Sequence, residues 1–317
     1  MNTHAVVLEA PEKLSVSKLK LSDASEFDVV VDIEFSGIST GTERLLWNGQ
    51  MPKFPGMGYP LVPGYESVGR IVAAGEKSGH TVGEHVYVPG ARCYGEVRSL
   101  FGGTASKVVV GGDKVIPISD KLGSQAVLLA LAATAYHAVA CGGTEAPKRA
   151  PDLIIGHGVL GRLLARMVVA AGLEPPTVWE LNPARKHGGV GYIVMAPNDD
   201  TRRDYKAIYD VSGDCSILDK AIAHLAFGGE VVLAGFYHQP LSFNFAPAFL
   251  REAQIRIAAE WQRADMLAVK ELTENGRLSL DGLITHHDVA THAADAFRTA
   301  FEDAACLKMI LDWRTMQ

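Results

Sequence analysis

The sequence predicts an α/β protein of two domains, one rich in β-strands and one built as a parallel sheet between helices. Three observations predict it. The first 125 residues are short alternating runs broken by Gly, Pro and Asp, a helical stretch rich in Ala and Leu follows, and strands and helices then alternate. The chain has 317 residues, and a single core rarely grows past roughly 250–300 residues, so two domains are expected.

VVLEA, DVVVDIEFSG, ESVGRIVAAG, EHVYV and SKVVVGG carry the alternation of a half-buried strand. Gln125–Cys141, QAVLLALAATAYHAVAC, has no Gly or Pro and is long enough for about four helical turns. The polar stretch GGTEAPKRAPD then predicts a hinge. Beyond it LIIGHG, TVWEL, AIYDVSG and GEVVLAGF read as strands, with helices in VLGRLLARMVVAAG and SILDKAIAHLAF. Such alternation implies parallel pairing through right-handed crossovers, because parallel neighbours need a long connection. From about Arg263 two further helices, ADMLAVKELTENG and ATHAADAFRTAFEDAA, precede a strand in CLKMILDW. The expected boundaries are therefore residues 1–125, 126–262 and 263–317.

Composition narrows the function classes. A net charge of −6 offers no basic excess for nucleic acid. No uninterrupted apolar run reaches the roughly 20 residues of a membrane span. The start MNTHAVVLEAPEKL lacks a signal-peptide pattern, and Cys93, Cys141, Cys215 and Cys306 lie far apart. Reduced thiols and a cytoplasmic location are expected.

The run LIIGHGVLGRLLARMVVAAG carries a G-x-G-x-x-G pattern, Gly156-His157-Gly158-Val159-Leu160-Gly161, between an apolar strand and an amphipathic helix. In that context the glycines permit a tight turn, close approach of the backbone to a pyrophosphate, and packing of helix on strand. Free N–H groups at the helix start suit the phosphates. Glu180 ends the next strand, where an acid bonds the ribose hydroxyls and disfavours a 2′-phosphate, so NAD is expected. Arg185 pulls the other way, toward NADP. His157 either touches the pyrophosphate or is an exposed turn residue. Asp210, Ser212 and Gly213, then Gly235, Phe236 and Tyr237, end later strands at the edge where such sheets bind ligands.

In this order SGISTGTE, PGYESVGRIVAAG, VGEHVYV, GGTASKVVV and GLITHHDV resemble segments of the medium-chain dehydrogenase/reductase family. There the corresponding patterns are G-I-C-G-T-D, G-H-E-x-x-G, G-D-R-V, a strand of small residues, and L-I-T-H. The resemblance covers nearly the whole chain. It implies a β-rich GroES-like catalytic domain, a Rossmann NAD-binding domain inserted after it, and a C-terminal segment returning to the catalytic domain.

The departures from the family pattern are informative. Zinc-dependent relatives hold a catalytic metal with a Cys, a His and a further Cys or Glu. Here the aligned residues are Ser39 or Thr40, Tyr65 and Ala130, and Cys93 stands alone where relatives carry a structural-zinc lobe. A hydroxyl, a phenol and a methyl do not replace thiolate and imidazole around Zn²⁺. No metal is expected. Zinc lowers the pKa of a bound hydroxyl by roughly 9 units at best, about 12 kcal/mol. One acid–base group supplies about 3–5 kcal/mol, so the substrate must help stabilise charge.

Within the family, SGISTGTERLLWNGQMP, VPGYESVG and VPGARCYGEVRSLFGGTASKVVV resemble the members that act in bacteriochlorophyll biosynthesis. The resemblance implies a tetrapyrrole substrate, a chlorophyllide or bacteriochlorophyllide whose 1-hydroxyethyl group NAD⁺ oxidises to acetyl. Candidates for proton handling are Tyr65, Ser39, Thr42, Glu66 and His137. Trp47, Met51, Phe54 and Tyr59, interleaved with Gly and Pro, are candidates for an apolar wall against the macrocycle; packing onto their own domain is the competing reading. A zinc-free quinone or enoyl reductase and a non-catalytic nucleotide-binding protein remain alternatives. A homodimer is compatible with the sequence, which leaves the oligomeric state open.

Overall fold

The computed structural model describes residues 1–53, 55–140 and 149–316. Phe54 and most of the expected hinge lie outside the described residues. The chain forms two compact units, Met1–Ala130 with Leu283–Gln317, and Leu131–Gly282.

The first unit opens with β1 (Asn2–Ala10), β2 (Lys13–Lys20), β3 (Asp28–Ile38) and a short helix α1 (Thr42–Trp47). It continues through β4 (Leu61–Pro63), β5 (Ser67–Ala74), β6 (His85–Val88), β7 (Arg98–Leu100), β8 (Lys107–Gly111) and β9 (Ile116–Pro117). A 3-10 stretch, Asp120–Leu128, leads into α2 (Leu129–Ala140). The second unit contains β10 (Leu153–Ile155), α3 (Val159–Ala170), β11 (Thr177–Trp179), β12 (Ile193–Met195) and β13 (Tyr205–Asp210). After these come α4 (Leu218–His224), β14 (Leu225–Leu233), α5 (Phe245–Leu250), β15 (Gln254–Ile257) and α6 (Arg263–Glu274). The chain re-enters the first unit with β16 (His286–Val289), α7 (Ala293–Glu302) and β17 (Met309–Asp312).

Strand β3 organises the first unit. One edge pairs with β5; the other pairs with β8 over Asp28–Asp32 and with β17 over Phe35–Ile38. The C-terminal strand thus completes an edge that β8 leaves half-covered. Trp313 follows it into the core, its indole N–H donating to Ser36 Oγ at 2.8 Å. The register brings three strand ends together: Ile38 at the end of β3, Glu66 just before β5, and Lys308 just before β17.

The second unit holds a six-stranded sheet in the order β12-β11-β10-β13-β14-β15, all parallel. The strand order reverses between β10 and β13, the topological switch point at which open α/β sheets bind ligands.

Several details depart from the sequence expectation. Edge strands β12 and β15 add to the four foreseen, and α4 stops at His224 because Leu225 already pairs with Tyr205 in the sheet. The helix expected from Gln125 becomes regular α-helix only at Leu129. Helix α6 belongs to the second unit, held by His137 Nδ1 to Asp265 Oδ2 at 2.7 Å and, just beyond the helix, Arg166 Nη1 to the Ser279 carbonyl at 2.9 Å. The return therefore begins at Leu283, not at residue 263. By length and composition alone Asp120–Ala140 is apolar enough to cross a membrane, with mean hydropathy 1.4. It is broken at Gly123 (φ 48°, ψ −132°), and Ala126 to Ala130 are buried in protein.

Candidate active site and cofactor loop

The glycine loop leaves β10 and enters α3 directly, with Gly158 at the N-cap. Gly156 adopts φ +106°, open mainly to glycine, and a Cβ at Gly161 would stand 1.9 Å from the Gly156 carbonyl oxygen. Val159 is buried under the loop and Leu160 is half-buried. The N–H groups of the first turn of α3 have no helical partners and fit a pyrophosphate.

His157 corrects the sequence reading, because its ring is fully buried. Its Nδ1 lies 2.6 Å from the Arg185 carbonyl, which can only accept, so Nδ1 carries the proton. Nε2 is left to accept from the Tyr192 hydroxyl at 2.8 Å. Burial pushes this imidazole down to a pKa of about 4, so it is neutral at physiological pH. Arg162 on α3, also buried, adds bonds to the carbonyls of His157, Arg185 and His187 at 2.7–3.1 Å. These two side chains brace the 185–192 segment against the glycine turn. Glu180 belongs to the same brace: its carboxylate accepts from the His157 N–H at 3.0 Å and the Asn182 N–H at 2.7 Å.

At the ends of β13 and β14, buried Asp210 gathers the neighbouring candidates. It accepts from Ser212 Oγ at 2.7 Å and from the Tyr237 hydroxyl at 2.5 Å. Burial raises the Asp210 carboxyl and, with the Asp210 charge beside it, raises the Tyr237 phenol. Gly213 (φ +72°) and Gly235 carry the two turns, and Phe236 is 41% exposed.

In the first unit Ser39, Thr42, Tyr65 and Glu66 come together. The Tyr65 hydroxyl donates to Ser39 Oγ at 2.7 Å, and Thr42 is a second partner. Burial, then the Glu66 charge, raises the Tyr65 phenol well above its usual value. Two residues that sequence reasoning missed complete the cluster. Lys308 Nζ lies 2.5 Å from Glu66 Oε2, both groups 1% exposed. Glu43, equally buried, accepts from the Ser39 N–H at 2.9 Å, and burial raises its carboxyl to about 8. A lone Lys in the apolar run CLKMIL and a lone Glu closing SGISTGTE were the available signals.

His137 is not part of this cluster; it lies in the second unit, paired with Asp265. The proposed apolar wall also turns inward. Met51 is buried with Leu8, Leu45, Leu46, Leu61 and Leu100, which favours packing onto its own domain over a place in the wall against the macrocycle. Trp47 packs on Phe301 with centroids 5.6 Å apart, and the Tyr59 hydroxyl donates to the Leu46 carbonyl. Phe54 lies outside the described residues. Among the described residues no three His, Cys, Asp or Glu side chains are grouped to hold a metal ion.

Residues 25–120 match the alcohol dehydrogenase GroES-like domain. The chain is 55% identical to the 2-desacetyl-2-hydroxyethyl bacteriochlorophyllide A dehydrogenase of Rhodobacter capsulatus, over 99% of both chains. It is 51% identical to the protein of that name from Cereibacter sphaeroides, again over 99% of both. Among solved structures, L-idonate 5-dehydrogenase from Escherichia coli superposes with a TM-score of 0.85 at 17% identity, covering 98% of each chain. GroES-like and Rossmann domains, joined in one chain at this level of identity, place the protein in the medium-chain dehydrogenase family, among the bacteriochlorophyllide dehydrogenases.

Proposed function

We propose that the chain oxidises the 1-hydroxyethyl group of a bacteriochlorophyllide or chlorophyllide to an acetyl group, with NAD⁺ as acceptor and without catalytic zinc. The full-length identity with the Rhodobacter capsulatus dehydrogenase carries this reading. The glycine turn and the α3 N-terminus fit the cofactor's pyrophosphate, and Glu180 fits a ribose with free hydroxyls. When bound, the nicotinamide would take the hydride from the carbinol carbon while the hydroxyl proton leaves to water, so that ketone, NADH and one H⁺ form together.

The donor chemistry does not fit a catalytic zinc. Ser39 Oγ already accepts from Tyr65, Ala130 brings only a methyl, and Glu66 is neutralised by Lys308. The Tyr65 hydroxyl, kept protonated and donating to Ser39 Oγ at 2.7 Å, then turns to donate to the substrate oxygen when substrate binds, with the Ser39 and Thr42 hydroxyls beside it to orient it. Conjugation of the carbinol with the macrocycle spreads the charge that zinc would otherwise bear. The enzyme works in the cytoplasm in this reading, consistent with Cys93, Cys215 and Cys306 forming no disulfide among the described residues. A homodimer belongs to it too, supported by exposed Phe245, Phe249, Leu250 and Ile257 on α5 and the edge strand β15.

The test is spectroscopic. Purified protein is mixed with hydroxyethyl bacteriochlorophyllide and either NAD⁺ or NADP⁺, with metal content measured and a chelator added. Turnover with NAD⁺ that survives chelation is expected. Turnover that tracks bound zinc, or that requires NADP⁺, would overturn the corresponding part of the reading.

A further inference from the structure

The acids behind Tyr65 carry a charge count that the proposed chemistry leaves unused. Glu43, Glu66 and Lys308 are each 1% exposed, so two carboxyl groups share one ammonium away from water. Lys308 contacts Glu66 directly and also donates to the Ile38 carbonyl at 3.2 Å. Glu43 forms no ion pair among the described residues and has only the Ser39 N–H on its Oε2. The Oε1 atoms of both acids are buried without a hydrogen-bond partner. Gly37 helps to build the arrangement: a Cβ there would lie 2.3 Å from Glu66 Oε2.

Two carboxylates against one ammonium leave a buried negative charge, which costs several kcal/mol to desolvate. One proton removes that charge. Burial raises the Glu66 carboxyl too, but the Lys308 ammonium bonded to it opposes that shift, so the proton falls to the acid without a cation. We propose that Glu43, Glu66 and Lys308 hold one proton, carried by Glu43, and so keep the surroundings of Tyr65 and Ser39 uncharged. Its consequence for catalysis rests on the alcohol oxidation proposed above; the proton assignment itself does not. Around Glu43 the titratable groups are Glu66, Lys308 and Tyr65, with Tyr87 beyond them facing Glu66. Ionised Glu43 would add negative charge beside Tyr65 and oppose an alkoxide developing at its hydroxyl. Glu43 is thus a positioning residue acting through Tyr65.

Infrared spectroscopy and thermal unfolding of the full chain without substrate, between about pH 5 and pH 9, test the proton directly. Wild type should show a protonated buried carboxyl band that fades with a midpoint near 8, and Glu43→Gln should lack it. Lys308→Met should gain a second such band, which keeps the test decisive if Glu43→Gln folds poorly. A missing band in wild type at neutral pH, or a band that persists in Glu43→Gln, overturns the proposal. In single-turnover hydride transfer the alkaline decline should disappear in Glu43→Gln. No turnover on hydroxyethyl bacteriochlorophyllide, with the infrared result intact, would refute the substrate assignment and uphold the proton.

Discussion

Tyr65 stands where the sequence resemblance puts a metal ligand of zinc-dependent relatives, and its surroundings decide what it can do there. A phenol raised by burial and by a neighbouring carboxylate holds its proton, so it donates a hydrogen bond and does not act as a free base. Tyr65→Phe removes that donor while leaving the ring against Phe101, 5.2 Å away edge-on. The expected result is a fall in kcat of about 10²–10⁴-fold with little change in KM, measured by steady-state kinetics on the hydroxyethyl substrate. A Tyr65→Phe enzyme with full turnover would remove the hydroxyl from the chemistry. Lys308 shows how a single residue escapes a periodicity argument. It reads as a polar interruption of a strand, and only Glu66, far away in sequence, gives it a role.

At the scale of elements, the glycine turn works because three segments are bolted together: the loop itself, α3 through Arg162, and the stretch from Glu180 to Tyr192. His157→Leu strips the partners from the Arg185 carbonyl and the Tyr192 hydroxyl. It should destabilise the protein by about 1–3 kcal/mol and weaken binding of the nicotinamide dinucleotide, read by denaturant titration and by calorimetry. Gly161→Val drives a side chain into the Gly156 carbonyl and should abolish dinucleotide binding. Unchanged affinity in that variant would contradict the loop assignment. Strand β15 makes a separate prediction. Ile257 is 76% exposed on the sheet's last strand among the described residues, and Ile257→Lys should convert the proposed homodimer to monomer in sedimentation without lowering monomer stability.

For the whole molecule, two buried groups set opposing pH dependences. The folded pKa of His157, about 4, lies below its ordinary 6.5, so the unfolded chain takes up the proton first. Its contribution is present above pH 6.5 and is lost as pH falls toward 4. Glu43 is raised from 4.5 to about 8, so its contribution is present below 4.5 and is lost as pH rises toward 8. Each pKa unit corresponds to about 1.4 kcal/mol, giving roughly 3 kcal/mol for His157 and up to about 5 for Glu43. The slopes offset one another between 4.5 and 6.5, so Tm measured against pH should plateau there and decline on both sides. Glu43→Gln should flatten the alkaline decline alone.

The sequence by itself determined most of the order of elements and the glycine loop, and the side-chain types at Ser39, Tyr65 and Ala130 raised the expectation that no zinc is held there, because glycine spacing, periodicity and side-chain type are local properties. It also brought Ser39, Thr42, Tyr65 and Glu66 to notice, together with His137, which the structure instead pairs with Asp265. Short edge strands such as β12 escaped because three residues carry too little periodicity to register. Only the tertiary structure decided that His157 is a buried brace, that Met51 faces the core, and that Glu43 and Lys308 join the site. Those facts depend on strand register between β3, β5 and β17 and on segments distant in sequence, and long-range pairing leaves no mark on the local pattern of residues.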